Sequence, residues 1–304
     1  MSAKTVIVVG AGICGVSTAI YLNRMGYKVS LIDKGKPGMG ASYGNSGLLA
    51  QWAVDPVASP DLWRIGPKYL ANKNSPLFIK WGYMPRMFPW LIRFLSNATD
   101  KGARHVVRSL GPLLSDAVDQ HKSLVQNTPL DGWVRDSKIS FVYRDKMHFD
   151  SDTYSWKMKK TAGLIPKVVT GEAVREEEPI LGKDYRYLAV LEGQGHITDP
   201  GQYVAKLADH FTSLGGRVIS AEVHDLQKNT DGRISGISTD IGTVPCDFAV
   251  ITAGIWSKEL TKKLGLKIPL EAERGYHVIF KNPSVLPRNP LLMVDGKFGV
   301  NSMD

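Results

Sequence analysis

The chain has 304 residues, of which 43% are hydrophobic and 22% charged, and this composition excludes disordered and fibrous proteins. The formal net charge of +9 suits anionic cofactors, anionic lipid or nucleic acid. Lys and Arg form no dense block, so a solvated basic surface is the simpler interpretation and no nucleic-acid partner is expected. Cys14 and Cys246 provide neither a disulfide framework nor a metal cluster, which favours a reducing, cytoplasmic location and predicts no metal.

Residues 5–34 follow a βαβ pattern that is typical of dinucleotide-binding proteins. An apolar strand leads into a G-x-G-x-x-G turn, a helix pattern and a second strand. Gly10 allows the tight turn, Gly12 lets the backbone approach a pyrophosphate, and Gly15 lets the helix pack closely on the strand. Asp33 ends the second strand 18 residues after Gly15, close to the spacing of about 20 at which an acid binds an adenosine ribose. The pattern therefore predicts a site for NAD or FAD, although a glycine-rich turn in a parallel sheet is the alternative.

The middle of the chain alternates between helix and strand patterns. Prolines divide residues 60–127 into short helices and one longer helix, which we expect over residues 106–125. Residues 133–148 predict strands, residues 152–163 a helix, and residues 184–197 strands again. No apolar stretch approaches 18 residues, so no membrane span is predicted.

The second half of the chain returns to a βαβ pattern. Asp199 followed by proline predicts a helix start, and two glycines end that helix after residue 214. A strand at residues 217–220, a hairpin and a strand at residues 248–252 follow. We therefore expect a nucleotide-binding domain at residues 1–50 and 195–265. It would be interrupted by a second domain at residues 51–194 and 266–304.

Four separated stretches resemble the FAD-dependent D-amino-acid oxidase and dehydrogenase superfamily, most closely the bacterial D-amino-acid dehydrogenase small-subunit type. They are the fingerprint, the loop GASYGNSG at residues 40–47, GHITDP at residues 195–200 and DFAVITAGIWS at residues 247–257. The resemblance implies an α/β fold. In it, a Rossmann-like FAD-binding domain carries an inserted mixed-sheet (α+β) substrate domain.

FAD is the cofactor that the resemblance implies. Asp33 is expected to hold the adenosine ribose, Val223 to contact adenine through its backbone, and Trp256 to lie beside the cofactor, with core packing as the alternative for Trp256. The full set of expected cofactor-binding residues is Gly10, Gly12, Ile13, Gly15, Asp33, Lys34, Ser42, Asn45, Gly47, Val223, Ala253, Gly254 and Trp256.

The implied reaction moves hydride from the α-carbon of an amino acid to flavin N5, and water converts the resulting imine to a 2-oxo acid and ammonia. Such a site needs a cation or phenol that binds the substrate carboxylate. Arg274, Tyr276 and Tyr43 are the candidates, although residues 274–276 also fit a plain sheet edge. For His196 a structural hydrogen bond is favoured over a role at the substrate amine. Three alternatives stay open: a glycine, sarcosine or hydroxyproline oxidase, an NAD-dependent dehydrogenase, and a non-catalytic binding protein.

Residues 78–94 interleave aromatic side chains with Lys and Arg, which suits contact with an anionic bilayer, although core packing is the favoured alternative. The resembled dehydrogenases deliver electrons to the membrane respiratory chain, so the acceptor is expected to be a membrane quinone or another respiratory-chain component. The expected location then extends to the inner face of the membrane. The oligomeric state is not predicted.

Residues 297–304 predict a strand with no turn or capping element after it. In the resembled family a similar strand leads into a hairpin and a glycine-rich segment that completes the flavin pocket, and no stretch of this sequence matches that segment. We therefore expect residues 1–304 alone to bind FAD weakly, with little or no turnover.

Overall fold

A computed structural model describes residues 3–63, 66 and 80–303. Its strands are β1 (Thr5–Val9), β2 (Lys28–Asp33), β3 (Leu48–Leu49), β4 (Arg135–Tyr143), β5 (Lys167–Thr170), β6 (Tyr187–His196), β7 (Arg217–Ser220), β8 (Val223–Lys228), β9 (Ile234–Thr239), β10 (Gly242–Pro245), β11 (Phe248–Ile251), β12 (Leu291–Met293) and β13 (Phe298–Val300). Its α-helices are α1 (Ile13–Arg24), α2 (Met84–Ser96), α3 (Asp100–Leu114), α4 (Ala117–Val125), α5 (Lys146–Ser151), α6 (Thr153–Thr161), α7 (Ala173–Glu177), α8 (Pro200–Ser213) and α9 (Ser257–Lys263). Two short 3₁₀ helices cover Trp81–Tyr83 and Gly254–Trp256.

A four-stranded parallel sheet with the order β11-β1-β2-β7 forms the first half of the fold. One face packs on α1 and α8 through side chains such as Ile20 and Phe211. The other face, with Ile7 and Ile32, packs on β8, β9 and α9. Because both faces are covered, these strands have nearly continuous apolar sequences, which is the pattern expected of a parallel sheet. The predicted α/β fold is confirmed.

A mixed sheet forms the second half, in the order β13-β12-β4-β6, with β3 and β5 also paired to β6. β12 runs parallel to β4, whereas β4 and β6 are antiparallel. On one face Leu188 and Val190 pack with Val174 of α7. On the other face Phe141 packs with Trp156 of α6.

A three-stranded antiparallel sheet, β10-β9-β8, extends from the first half. The hairpin between β8 and β9 was predicted, and its turn is held by the Asn229 side chain, whose Oδ1 accepts from the amides of Asp231 at 3.1 Å and Arg233 at 2.9 Å. β10 was not predicted, because Gly242 and Pro245 at its ends weaken its strand pattern.

Some residues expected in the second domain, residues 51–194, share a core with the parallel sheet. Val118, Leu124 and Val134 belong to the same apolar cluster as α1 and α8. Arg24 of α1 also donates a hydrogen bond from Nη2 to the carbonyl of Leu124 at 2.9 Å. The domain boundaries expected from the sequence stay a prediction.

Three local expectations were wrong. The single helix over residues 106–125 is two helices, because the chain turns at Ser115, whose carbonyl accepts a hydrogen bond from Gln51 Nε2 at 2.7 Å. The strand expected to residue 148 ends at Tyr143, since Asp145 caps α5 by accepting from the His148 amide at 2.8 Å. The core-packing interpretation of residues 78–94 also fails, because no residue of α2 is buried. Within that segment, residues 78 and 79 lie outside the described part, as do the helices expected between residues 67 and 79.

Candidate functional site at the carboxyl edge of the parallel sheet

The turn after β1 is locked to the end of β11 by backbone contacts. Gly10 has φ +107°, and a Cβ there would lie 2.6 Å from the Thr252 carbonyl oxygen. A Cβ at Gly15 would lie 1.7 Å from the Gly10 carbonyl oxygen and 2.8 Å from Thr252 Oγ1. Glycine is therefore required at both positions, because any side chain would displace backbone of the turn.

Thr252 supplies a contact that the sequence did not reveal. Its hydroxyl donates to the Val9 carbonyl at 2.8 Å and lies 3.1 Å from the Gly10 carbonyl. Its amide also donates to the Val9 carbonyl at 2.8 Å. The ends of β1 and β11 are thus joined by a side chain as well as by the sheet; the sequence had placed Thr252 only within the resembled stretch at residues 247–257, without this contact.

Asp33 lies at the end of β2 with its carboxylate under the same turn. Oδ2 accepts from the Ala11 amide at 2.7 Å and Oδ1 accepts from the Gly35 amide at 2.8 Å. These two bonds fix the orientation of the carboxylate. Each oxygen of an ionised carboxylate can accept a further hydrogen bond, so a diol can still be bound there.

The amino-terminal end of α1 faces this edge. Its N-cap residue, Gly12, has no side chain, and Ser42 acts in its place by accepting from the Ile13 amide through Oγ at 3.0 Å. Ser42 is only 8% exposed, so this contact is part of the fold. The amino-terminal end of a helix carries a partial positive charge, and the glycines here allow a ligand to come close to the backbone. Such an end favours an anion such as a pyrophosphate.

The glycine-rich loop is shaped by Asn45. Its Nδ2 donates to the Ser42 carbonyl and its Oδ1 accepts from the Gly47 amide, both at 2.8 Å. Gly47 has φ +66°, and a Cβ there would lie 1.9 Å from the Ile197 carbonyl oxygen. The loop is therefore fixed against the chain just after His196, the last residue of β6, which pairs with β3.

Three side chains gather where β2, β7 and β11 end. Lys34 Nζ lies 3.4 Å from Glu222 Oε1 and 5.7 Å from the centre of the Trp256 ring. Trp256 is 60% exposed, so the core-packing interpretation of this residue was wrong. Val223 begins β8 directly after Glu222, and residues 253 and 254 directly precede the Trp256 turn. The expected cofactor-binding residues thus lie along one edge of the sheet.

The candidate carboxylate-binding residues are exposed, Tyr43 in the glycine-rich loop and the other two in the chain that follows α9. Tyr276 is 92% exposed, Arg274 is also exposed, and residues 266–290 form neither helix nor strand. The sheet-edge interpretation of residues 274–276 is therefore wrong. The same segment passes the glycine-rich loop, since a Cβ at Gly44 would lie 2.8 Å from the ring of His277. Tyr43 is next to this contact and is 55% exposed.

Two further features of the described residues bear on the kind of site. No group of three or more His, Cys, Asp or Glu side chains within residues 3–63, 66 and 80–303 is arranged to hold a metal ion. Among the helices that the structure describes, none is long and apolar enough to cross a bilayer.

Comparison with known proteins identifies the family. The sequence model of FAD-dependent oxidoreductases of the DAO type matches residues 5–302. The chain belongs to this family. A D-amino-acid oxidase of Bradyrhizobium diazoefficiens is 36% identical over 301 residues, which cover 98% of this chain and 71% of that protein. A D-amino acid dehydrogenase of Helicobacter pylori is 22% identical over 294 residues, which cover 96% of this chain and 70% of that protein.

The fold agrees with this family. A glycine oxidase structure from Bacillus cereus superposes with a TM-score of 0.55 at 21% identity, covering 85% of this chain and 57% of that one. The chain thus spans a little over half the length of that structure. Family membership makes this an FAD-dependent oxidoreductase and decides against the NAD-dependent alternative. The residues present fit FAD. The turn with Gly10 and Gly15 leaves the backbone at the start of α1 without side chains, and the Asp33 carboxylate lies beside this turn on the Ala11 amide.

Proposed function

We propose that this FAD-dependent oxidoreductase oxidises D-amino acids to 2-oxo acids and ammonia. The observation that carries the proposal is the carboxyl edge of the parallel sheet. There the glycine turn, Thr252 and the Asp33 carboxylate come together in the arrangement that a dinucleotide needs. The 36% identity to a protein named D-amino-acid oxidase supports the choice of substrate class.

In this proposal the chain holds the cofactor through fixed polar groups. The end of α1 faces the pyrophosphate, and Ser42 keeps the first turn of that helix in place. Asp33 would accept from the ribose hydroxyls, and Lys34 and the exposed Trp256 ring lie at the same edge, 5.7 Å apart. A carboxylate disfavours a 2′-phosphate by charge repulsion, so the site is selective for FAD over phosphorylated dinucleotides.

FAD held at this edge would supply the oxidising chemistry as the hydride acceptor for the substrate α-carbon, and solvent water would take the proton of the substrate ammonium. The residues of this chain bind and orient the substrate. Arg274 pairs its guanidinium with the substrate carboxylate, and Tyr276 or Tyr43 adds a phenol donor. Water then adds to the released imine, which yields ammonia and the 2-oxo acid.

The test is amino-acid-dependent reduction of an electron-accepting dye by FAD-loaded protein, with D- and L-enantiomers compared. We expect the D-enantiomers alone to reduce the dye, at the low rate that the sequence predicts for residues 1–304, and a large rise in KM for Arg274→Met, since the variant loses a charged partner of the carboxylate. Arg233→Met, in the distant hairpin, is the matched control. Equal rates with both enantiomers, or an unchanged KM in Arg274→Met, would overturn the substrate class or the carboxylate-binding role respectively.

We also propose that the electrons pass to a membrane quinone rather than to oxygen. The chain resembles both oxidases and dehydrogenases, and its exposed aromatic side chains Trp81, Phe88 and Trp90 suit contact with a bilayer. The measurement compares oxygen uptake with reduction of a soluble quinone under the same substrate concentration. Faster quinone reduction supports the proposal, whereas stoichiometric oxygen uptake with peroxide formation would contradict it.

A further inference from the structure

Residues 80–96 form the most aromatic exposed surface in the described part of the chain. We define the aromatic surface as five side chains with exposed fractions between 39% and 70%: Trp81, Tyr83, Phe88, Trp90 and Ile92. α2 contributes no buried residue at all. Exposed apolar groups concentrated in this way mark an interaction site, because single exposed residues are normal but a contiguous set is not.

The helix presents cations between its apolar side chains. Arg86 and Arg93 are two turns apart, so they lie on the same side of α2, and both are exposed. Phe88 and Ile92 flank them on one side and Trp90 on the other. Met87, Leu91 and Phe94 are half-buried, and Phe94 stacks on Trp90 with ring centres 4.8 Å apart. The outward face of α2 therefore combines arginines with ordered aromatic rings.

The surrounding sequence carries charge of one sign only. Residues 62–99 contain no Asp or Glu, although the chain has 29 of them. Over the same residues there are six cations: Arg64, Lys68, Lys73, Lys80, Arg86 and Arg93. Lys80 and the two arginines lie in the described part of the structure and are exposed. This separation of charge makes the aromatic surface complementary to an anionic partner.

The geometry points to an anionic lipid bilayer as the partner of the aromatic surface. Aromatic rings with adjacent Lys and Arg fit the boundary between headgroups and acyl chains, where rings insert and cations pair with phosphates. A second copy of the chain fits poorly, since a symmetric contact would place two cationic, acid-free surfaces against each other. The protein thus docks on the membrane with α2 lying in the plane of the interface. This inference uses no feature of the cofactor site and does not depend on the proposed function.

Vesicle co-sedimentation without substrate tests the inference. The probes are vesicles of phosphatidylcholine alone and of phosphatidylcholine with about one third phosphatidylglycerol, at low and high salt. We expect binding to the anionic vesicles at low salt and its loss at high salt. Arg86→Ala with Arg93→Ala should lower the partition coefficient by tenfold or more, since each cation near such a surface contributes about fivefold. Lys228→Ala with Arg233→Ala, in the exposed hairpin, is the matched control and should bind normally.

Insertion of the rings is measured separately, by quenching of tryptophan fluorescence with lipids that carry bromine on the acyl chains. We expect quenching that falls in the variant with Trp81→Phe and Trp90→Phe and persists in the control Trp133→Phe. Binding that is equal for neutral and anionic vesicles, or quenching unchanged by the paired substitution, would overturn the inference. Self-association that the Trp81 and Trp90 substitutions abolish, without any vesicle binding, would assign the surface to a second copy of the chain instead.

Discussion

The carboxyl edge of the parallel sheet and the aromatic core of the mixed sheet are stabilised in different ways. At the edge, glycines let backbone groups of the β1 turn and Thr252 approach to within contact distance, and Asp33 is held by the amides of Ala11 and Gly35. In the mixed sheet, long side chains from distant parts of the sequence form a buried polar network. Both arrangements join distant parts of the chain, Thr252 with Val9 at the edge and Asp55 with Lys159 beside the mixed sheet, but the first depends on close backbone contact and the second on a buried charge.

That network is centred on Lys159, which is only 2% exposed. Its ammonium lies 2.6 Å from Asp55 Oδ1 and 2.7 Å from Ser155 Oγ, and 5.3 Å from the centre of the Phe141 ring. Asp55 follows the glycine-rich loop, so the ion pair fixes the chain that leaves the candidate site. A buried charge is stable only while its partners are present.

The largest expected effect is therefore in the mixed sheet. Lys159→Met should lower the free energy of unfolding by about 3 to 5 kcal/mol, because Asp55 would lose its buried partner. Lys146→Met, which breaks the exposed pair with Asp150, should change the free energy of unfolding far less, because solvent screens that pair. Urea denaturation of the two variants makes the comparison. Adding Asp55→Leu to Lys159→Met should restore stability, and a double variant no better than the single one would show that the ion pair is not the cause.

The next effect is at the edge. Gly15→Ala should lower the free energy of unfolding by about 3 kcal/mol and abolish FAD binding, because the added Cβ would collide with backbone of the turn. Gly182→Ala is the control, since a Cβ there meets no atom within 4 Å and the glycine needs no left-handed conformation. Thermal denaturation and FAD titration are measured together. If Gly15→Ala behaves like Gly182→Ala, the edge is not held by close backbone packing.

A smaller effect separates the ligand role of Asp33 from its structural role. Asp33→Ala should weaken FAD binding by about 1 to 3 kcal/mol, the scale of a lost charged hydrogen bond. It should also lower stability, since the amides of Ala11 and Gly35 lose their acceptor. Asp33→Asn keeps one acceptor oxygen, so its affinity for FAD should fall between those of the unchanged protein and Asp33→Ala. An affinity for FAD that is the same in all three proteins would remove Asp33 from the site.

The smallest expected effect is a pH dependence of the core beside α8. His121 lies 3.1 Å from the Tyr203 hydroxyl, and burial lowers the pKa of His121 below its usual 6.5. The unfolded chain then binds more protons, so the free energy of unfolding should fall as the pH decreases from about 6.5 to the folded pKa. Burial also lowers the pKa of His210, which acts in the same direction. His121→Gln should therefore reduce this slope without abolishing it. Urea denaturation at several pH values measures the slope, with exposed His224→Gln as the control.

The sequence predicted the elements that local chemistry determines. The fingerprint strands, the helix after Asp199 and the β8–β9 hairpin each carry their turn or cap within a few residues. It could not predict that Ser42 caps α1, because Ser42 and the Ile13 amide are 29 residues apart. Nor could it predict that Gln51 donates to the Ser115 carbonyl at the α3–α4 break, since those two residues are 64 apart. The role of Thr252 was missed for the same reason. The candidate carboxylate-binding residues stay a prediction, since residues 266–290 carry no regular structure that fixes them.

Binding of FAD to the purified chain tests the central claim most directly, namely that the carboxyl edge of the parallel sheet is a site for this cofactor. Titration would follow the change in flavin fluorescence, with NAD and NADP as competitors. The account predicts saturable binding of FAD that NADP does not displace, because the Asp33 carboxylate repels a 2′-phosphate. No detectable binding of FAD, or displacement by NADP as effective as that by NAD, would contradict it.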